Sequence, residues 1–278
     1  MNSSPAEVSG FAPVPGGRLY YEVAGHGRPL VMIHGFTLDC RMWDEQFESF
    51  ASRCRVIRYD ARGFGKSDLP TDREYSHVDD LSALLEFLGV SSADVVGLSM
   101  GGAIAAEFAL AHPDLTHGLV FVDSALGGYT FSPESDALED AIFTRGRNEG
   151  AEAAKRMWLA HPLFASANEQ PHVRTALEAI VSAYSGFHFT HHDPQRAGVP
   201  SAMGRLDQIA APTLVIVGER DLPDFRAIGR ILAQRIPRAR LVTLPGAGHM
   251  SNMEAPVRFN RAVMEFLKEV DSRTPAKG

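Results

Sequence analysis

The sequence predicts an α/β protein with a mostly parallel sheet of about eight strands, helices on both faces, and a helical lid inserted after the sixth strand. Three observations carry that expectation. Short apolar runs alternate with helical patterns along most of the chain, and a hairpin signal precedes them. Between Ser124 and about Leu206 the strand pattern vanishes and aromatic-rich helical stretches replace it.

Residues 1–10 are rich in Ser, Pro and Gly and read as a loose tail. Phe11–Pro15 and Arg18–Ala24 then flank Gly16-Gly17, two strand-like runs around a glycine turn. Pro29–Ile33 and Arg55–Tyr59 read as short buried strands, separated by a helical pattern at Met42–Phe50. In the next helix, Val78–Leu88, the leucines 81, 84, 85 and 88 share one face and Gly89 stops it. The strand Asp94–Leu98 runs into a helix beginning after Ser99, and Gly118–Val122 is the following apolar run.

Helical stretches at Ser135–Arg147, Ala151–His161 and His172–Tyr184 are too many for one crossover and suggest a lid over the carboxyl edge of the sheet. After them come the strand Thr213–Val217, a helix near Phe225–Arg235, the strand Leu241–Leu244 and a closing helix Val257–Val270. The expected organisation is a core of residues 11–124 and 207–271 with a lid of residues 125–206. No internal repeat interrupts it.

Composition narrows the function classes. The net charge is −7 and the 27 Lys and Arg are dispersed, so no basic stripe offers itself to nucleic acid. No run reaches the roughly 18 apolar residues that a membrane helix needs. Nothing at Met1–Phe11 resembles a secretory leader, and Cys40 and Cys54, the two cysteines, read as free buried thiols. A soluble cytoplasmic protein acting on a small molecule is expected, of unspecified oligomeric state.

In open α/β sheets ligands bind beyond the carboxyl ends of the strands, so the residues that follow each strand matter most. His34-Gly35-Phe36 follows Val31-Met32-Ile33, Gly97-Leu98-Ser99-Met100-Gly101 sits at a strand-to-helix turn, Gly218-Glu219-Arg220-Asp221 follows Thr213–Val217, and Gly246-Ala247-Gly248-His249 follows Leu241–Leu244. The glycines around Ser99 make room for a sharp reversal that pushes the hydroxyl out of the sheet. A serine hydroxyl is a poor nucleophile at neutral pH and needs a base, which in turn needs an acid to fix its tautomer. Ser99, His249 and Asp221 fill those roles in order, with Asp123, Glu219 and Asp224 as further candidates for the acid.

Through these segments and Asp60-Ala61-Arg62-Gly63-Phe64-Gly65-Lys66-Ser67, the chain resembles the α/β-hydrolase family over about residues 15–270. Met42-Trp43-Asp44 and Arg58–Gly63 make it similar to 3-oxoadipate enol-lactonases, cofactor-free haloperoxidases and related small esterases. The resemblance implies a Ser-His-Asp hydrolase without a cofactor, with the backbone N–H groups of Phe36 and Met100 as the oxyanion hole. The amide of Met100 suits this on physical grounds, because it opens a helix and has no partner inside it. Serine at position 99 excludes the dehalogenases and epoxide hydrolases of the family, which need a carboxylate there.

Other residues carry competing readings. His34 precedes a glycine and is expected to shape the oxyanion loop, while also standing close enough to be a candidate substrate contact; Ser124, Trp158 and Phe164 are candidates of the same kind. Gly63–Ser67 hints at a phosphate loop, but the full pattern requires glycine where Asp60 stands. Asp60, Arg62 and Ser67 are read instead as loop braces. His188, His191, His192 and Asp193 are ligand types for zinc without a matched spacing, so no metal is expected.

The expected reaction is hydrolysis of a small ester or lactone through an acyl-enzyme. C–C bond hydrolysis of a vinylogous diketone and perhydrolysis are the enzymatic alternatives, and a ligand-sensing signalling protein is the alternative of another class. Arg145, Arg147, Lys155, Arg156 and Arg174 are available should the substrate carry a carboxylate.

Overall fold

The computed structural model describes residues 8–273. Its centre is an eight-stranded sheet in the order β1-β2-β4-β3-β5-β6-β7-β8. The strands are β1 Val8–Val14, β2 Gly17–Ala24, β3 Pro29–Ile33, β4 Arg55–Tyr59, β5 Ala93–Leu98, β6 Thr116–Val122, β7 Thr213–Gly218 and β8 Ala239–Leu244. β1 and β2 form the antiparallel hairpin, β2 also runs antiparallel to β4, and every later pairing is parallel. β5 lies at the centre of the sheet and is buried along its whole length, as a strand covered on both faces must be.

The tail expectation needs correcting. Residues 1–7 lie outside the described residues, and the hairpin begins at Val8 because Val8, Ser9 and Gly10 pair with Val23, Glu22 and Tyr21. Ladder hydrogen bonds from β2 override the weak strand propensity of Ser and Gly there.

The helices are α1 Asp44–Ala51, α2 His77–Phe87, α3 Met100–Ala111, α4 Pro133–Glu149, α5 Ala151–Leu159, α6 Ala165–Asn168, α7 Pro171–Ala183, α8 Phe187–Thr190, α9 Pro223–Arg235, α10 Ser251–Glu254 and α11 Pro256–Arg273. α2 starts where the Ser76 hydroxyl accepts from the amides of Val78 and Asp79, with Asp79 and Asp80 in its first turn. Its buried face is Leu81, Leu84 and Leu85. α3 opens with Gly101-Gly102, where a Cβ on Gly102 would overlap the Ser124 side chain, so only glycine lets this helix close on β6. α4 to α8 stand between β6 and β7 in the chain. No helix among the described residues is long and apolar enough to cross a membrane.

Register decides where the functional loops meet. Ile33 pairs with Gly97, Leu98 with Val122, Val122 with Ile216 and Gly218 with Leu244, so the carboxyl ends of β3, β5, β6, β7 and β8 finish level with one another. The loops that leave those ends therefore share one edge of the sheet.

Candidate active site

Ser99 occupies the turn between β5 and α3 with φ 54° and ψ −115°. A non-glycine residue at positive φ costs on the order of 1–3 kcal/mol and persists only where its surroundings over-determine it. Here they do: a Cβ on Gly97 would overlap the Gly101 carbonyl, and one on Gly101 would overlap the Ile33 carbonyl. The Ser99 carbonyl in turn accepts from the amides of Gly102, Ala103 and Ala125.

His249 leaves β8 through Gly246-Ala247-Gly248 and is buried. Its Nδ1 lies 3.0 Å from Asp221 Oδ2 and 3.1 Å from Oδ1. A carboxylate only accepts, so Nδ1 carries a proton. Nε2 is buried with no hydrogen-bond partner among the described residues. Ser99 and His249 line one cavity of about 310 Å³, together with Phe36 and Met100.

Two of the other candidate acids, Glu219 and Asp224, are committed elsewhere. Glu219 accepts from the Gly246 amide, and Asp224 accepts from the hydroxyls of Tyr129, Ser132 and Ser135, tying α4 to α9. Asp123 accepts from the Gly218 amide at 2.7 Å. Burial first, and then the nearby Asp221 charge, push its carboxyl well above the usual range.

Neither the Phe36 nor the Met100 amide donates to a described protein acceptor. The Phe36 loop is held from three sides. Beneath it, His34 Nε2 accepts from the Ala61 amide at 2.9 Å while Nδ1 donates to the Gly35 carbonyl at 2.8 Å. Above it, Trp158 Nε1 donates to Thr37 Oγ1 at 2.7 Å, and that hydroxyl donates to the Phe36 carbonyl at 2.6 Å. Behind it, Asp60 takes the amides of Cys40 and Lys66, Ser67 donates to the Asp60 carbonyl, and Arg62 clasps Asp80 at 2.6 Å.

Among the sequence-predicted substrate contacts, Trp158 and Phe164 line the cavity, whereas His34 and Ser124 do not. Both ring nitrogens of His34 are used within the fold, and the Ser124 hydroxyl donates to the Ala125 carbonyl beneath α3. His188 is bound to Tyr184 and Asp193, which makes it a packing residue of α8. Asp39, Cys40 and Asp60 bring three ligand-type atoms within 4.8 Å of one another, yet Asp39 is paired with Arg41 and the Asp60 oxygens hold backbone amides. Cys40 and Cys54 are buried free thiols.

Sequence reasoning missed Thr37, His161 and Glu254. Glu254 accepts from the amides of Gly248 at 2.8 Å and Met250 at 3.0 Å, the two neighbours of His249, and from the Ser166 hydroxyl at 2.6 Å. It pins the histidine loop and joins it to α6. His161 lines the cavity, and burial together with the nearby His249 pulls its pKa down to about 4. An acid close behind a glycine-rich loop was the available signal for Glu254; nothing in the sequence marked its direction.

Comparison with known proteins identifies the family of the fold. A family model described as alpha/beta hydrolase fold matches residues 28–256. The 2-hydroxy-6-oxononadienedioate/2-hydroxy-6-oxononatrienedioate hydrolase of Burkholderia vietnamiensis is 31% identical over 267 residues, which is 90% of this chain and 91% of its own. A thermophilic esterase from Thermogutta terrifontis superposes with a TM-score of 0.80 at 30% identity, covering 95% of this chain and 99% of its own. The enol-lactonase from Burkholderia xenovorans LB400 gives 0.78 at 28% identity, with 93% and 100% covered.

Proposed function

The chain belongs to the α/β-hydrolase fold family, and from that premise we propose that it is a serine hydrolase cleaving a small carboxylic ester or lactone through an acyl-enzyme. Its relatives with named activities include a thermophilic esterase, an enol-lactonase and a hydrolase named for a dioate. The observation that carries the reading is His249, which lines one cavity with Ser99 and whose Nδ1 is committed to Asp221 while its buried Nε2 has no partner among the described residues.

His249 Nε2 takes the Ser99 hydroxyl proton as Oγ attacks the carbonyl carbon, and Asp221 stabilises the imidazolium that results. The tetrahedral oxyanion faces the Phe36 and Met100 amides, donors of a kind whose loss typically costs about 2.7–4 kcal/mol of transition-state stabilisation. Collapse expels the alcohol oxygen, which takes the proton from His249. Water then gives its proton to the same nitrogen, attacks the acyl-enzyme and restores Ser99. A lactone follows the same course, with the leaving alcohol still tethered to the acid.

Ser99→Ala is expected to abolish turnover of short p-nitrophenyl esters while preserving the far-ultraviolet circular dichroism spectrum. Turnover at the wild-type rate in that variant removes Ser99 from the reaction. C–C hydrolysis is the second reading, favoured by the dioate hydrolase relative. A panel of esters, lactones and vinylogous diketones ranks the two by kcat/KM. Steady multiple turnover without a ligand-dependent partner sets aside a sensor role.

A further inference from the structure

The charges around the Ser99 cavity are unusually one-sided. Its lining contains no Lys or Arg, and its one carboxylate is Glu139, on α4. The basic residues of the inserted helices are turned to other tasks. Arg145 pairs with Glu149 at 2.9 Å, Lys155 is held between Glu152 and the Ser182 carbonyl, and Arg147 donates to Thr144. Arg156 and Arg174 are exposed and absent from the cavity wall.

Glu139 borders the cavity from an exposed position on α4 and is uncompensated. It makes no ion pair among the described residues, and the neighbouring charges that act on its carboxyl, Asp136 and Asp140, have its own sign. The remaining polar groups of the wall suit a neutral guest. Ser135 spends its proton on Asp224 at 2.7 Å. His161 Nδ1 accepts from the Leu163 amide at 3.0 Å, so the ring is neutral with its proton on Nε2, a donor fit for an ester, ether or keto oxygen.

Resting on the serine-hydrolase reading, we infer that Glu139 is a specificity-determining residue which makes this cavity accept neutral esters and reject esters bearing an ionised carboxylate. A carboxylate entering the apolar wall loses its hydration, finds no cation in exchange and meets the Glu139 charge. The neutral ester of the same size meets none of these penalties. The substrate class is thus an uncharged ester or lactone with at most a hydrogen-bond acceptor beyond the scissile carbonyl. This sets the chain apart from its relative named for a dioate.

The test uses two size-matched pairs at pH 8: p-nitrophenyl hydrogen adipate against its methyl ester, with the charge on the acyl arm, and 4-acetoxybenzoate against methyl 4-acetoxybenzoate, with the charge on the alcohol arm. All rates are corrected with Ser99→Ala. In the wild type kcat/KM is expected to favour the neutral member at least tenfold in one or both pairs. Glu139→Gln is expected to narrow that gap, because the lost hydration and the missing cation remain, and Glu139→Lys to close it or reverse it. Equal turnover of charged and neutral members by the wild type, or a gap unmoved by both substitutions, overturns the role of Glu139 and leaves the serine mechanism standing. No Ser99-dependent turnover of any of the four esters takes down both readings.

Discussion

The two walls of the Ser99 cavity are built by different forces. The floor comes from loops that leave β3, β5, β7 and β8, and its positions are set by backbone register and hydrogen bonds. The roof comes from the inserted helices and is set by packing of aromatic rings: Phe36 alone has its ring centroid 5.5 Å from Trp158, 5.8 Å from Phe189, 6.1 Å from Phe143 and 6.4 Å from Tyr184. Polar ties between them include Trp158 to Thr37 and Ser166 to Glu254. A hydrogen-bonded floor tolerates little displacement, whereas a ring-packed roof accepts volume-conserving exchanges of its members at modest cost. Machinery for a reaction belongs on the first and choice of substrate on the second.

The largest effect is expected on the floor. Asp221→Asn leaves the shape intact but no longer fixes the tautomer, and kcat should fall by about 10⁴, the loss typical of this substitution in serine triads. A drop of only a few fold would show that Asp123 or another group serves His249, and the floor would not be wired as described.

Glu254→Gln comes next. One amide of the histidine loop would then face an NH₂ group rather than a carboxylate oxygen. We expect kcat to fall tenfold or more with KM little changed, while Ser166→Ala, which cuts only the tie to α6, costs a few fold at most. Equal losses in the two variants would mean that roof and floor act as one body.

On the roof, Trp158→Phe keeps most of the ring packing and removes the bond to Thr37. A net loss of about 1 kcal/mol is expected, read as a Tm lower by roughly 2–4 °C. A much larger shift would show that the hydrogen bond rather than the rings holds the roof down.

The smallest effect is a slope. Unfolded His161 binds a proton near its ordinary pKa of 6.5, but folded His161 resists until about 4. Its contribution therefore stabilises fully above the unfolded value and is lost as pH falls through that window. His161→Asn should flatten the decline of Tm between pH 6.5 and 4.5 relative to the wild type. An unchanged slope would place the ring in water.

The floor was legible in the sequence because each of its residues follows an apolar run, and a buried parallel strand ends in only one kind of place. Ser99, Asp221 and His249 could be picked out by that rule before any contact was visible. Roof helices were legible too, α4, α5 and α7 falling near their expected spans. What helical periodicity does not encode is how a helix sits on a neighbouring layer. Nothing therefore distinguished Glu139, which faces the cavity, from Arg145, which pairs with Glu149. Short elements such as α6 and α8 escaped as well, since a single turn carries no period. His34 and Ser124 were drawn toward the substrate by proximity in sequence, when their polar atoms were needed to close the fold around the loops.

Phe36 belongs to both walls: it stands in the loop after β3 and lines the cavity, and its ring is the hub on which the roof rests. One residue thus joins the two walls through its ring, beside the polar ties of Trp158 to Thr37 and Ser166 to Glu254. Re-sculpting the roof through Phe143 or Trp158 to admit a bulkier guest will shift that residue and carry a hydrogen-bond donor with it. Directed evolution of selectivity in this scaffold will accordingly find turnover and affinity changing in concert, and compensating substitutions should collect around Phe36 rather than around Ser99.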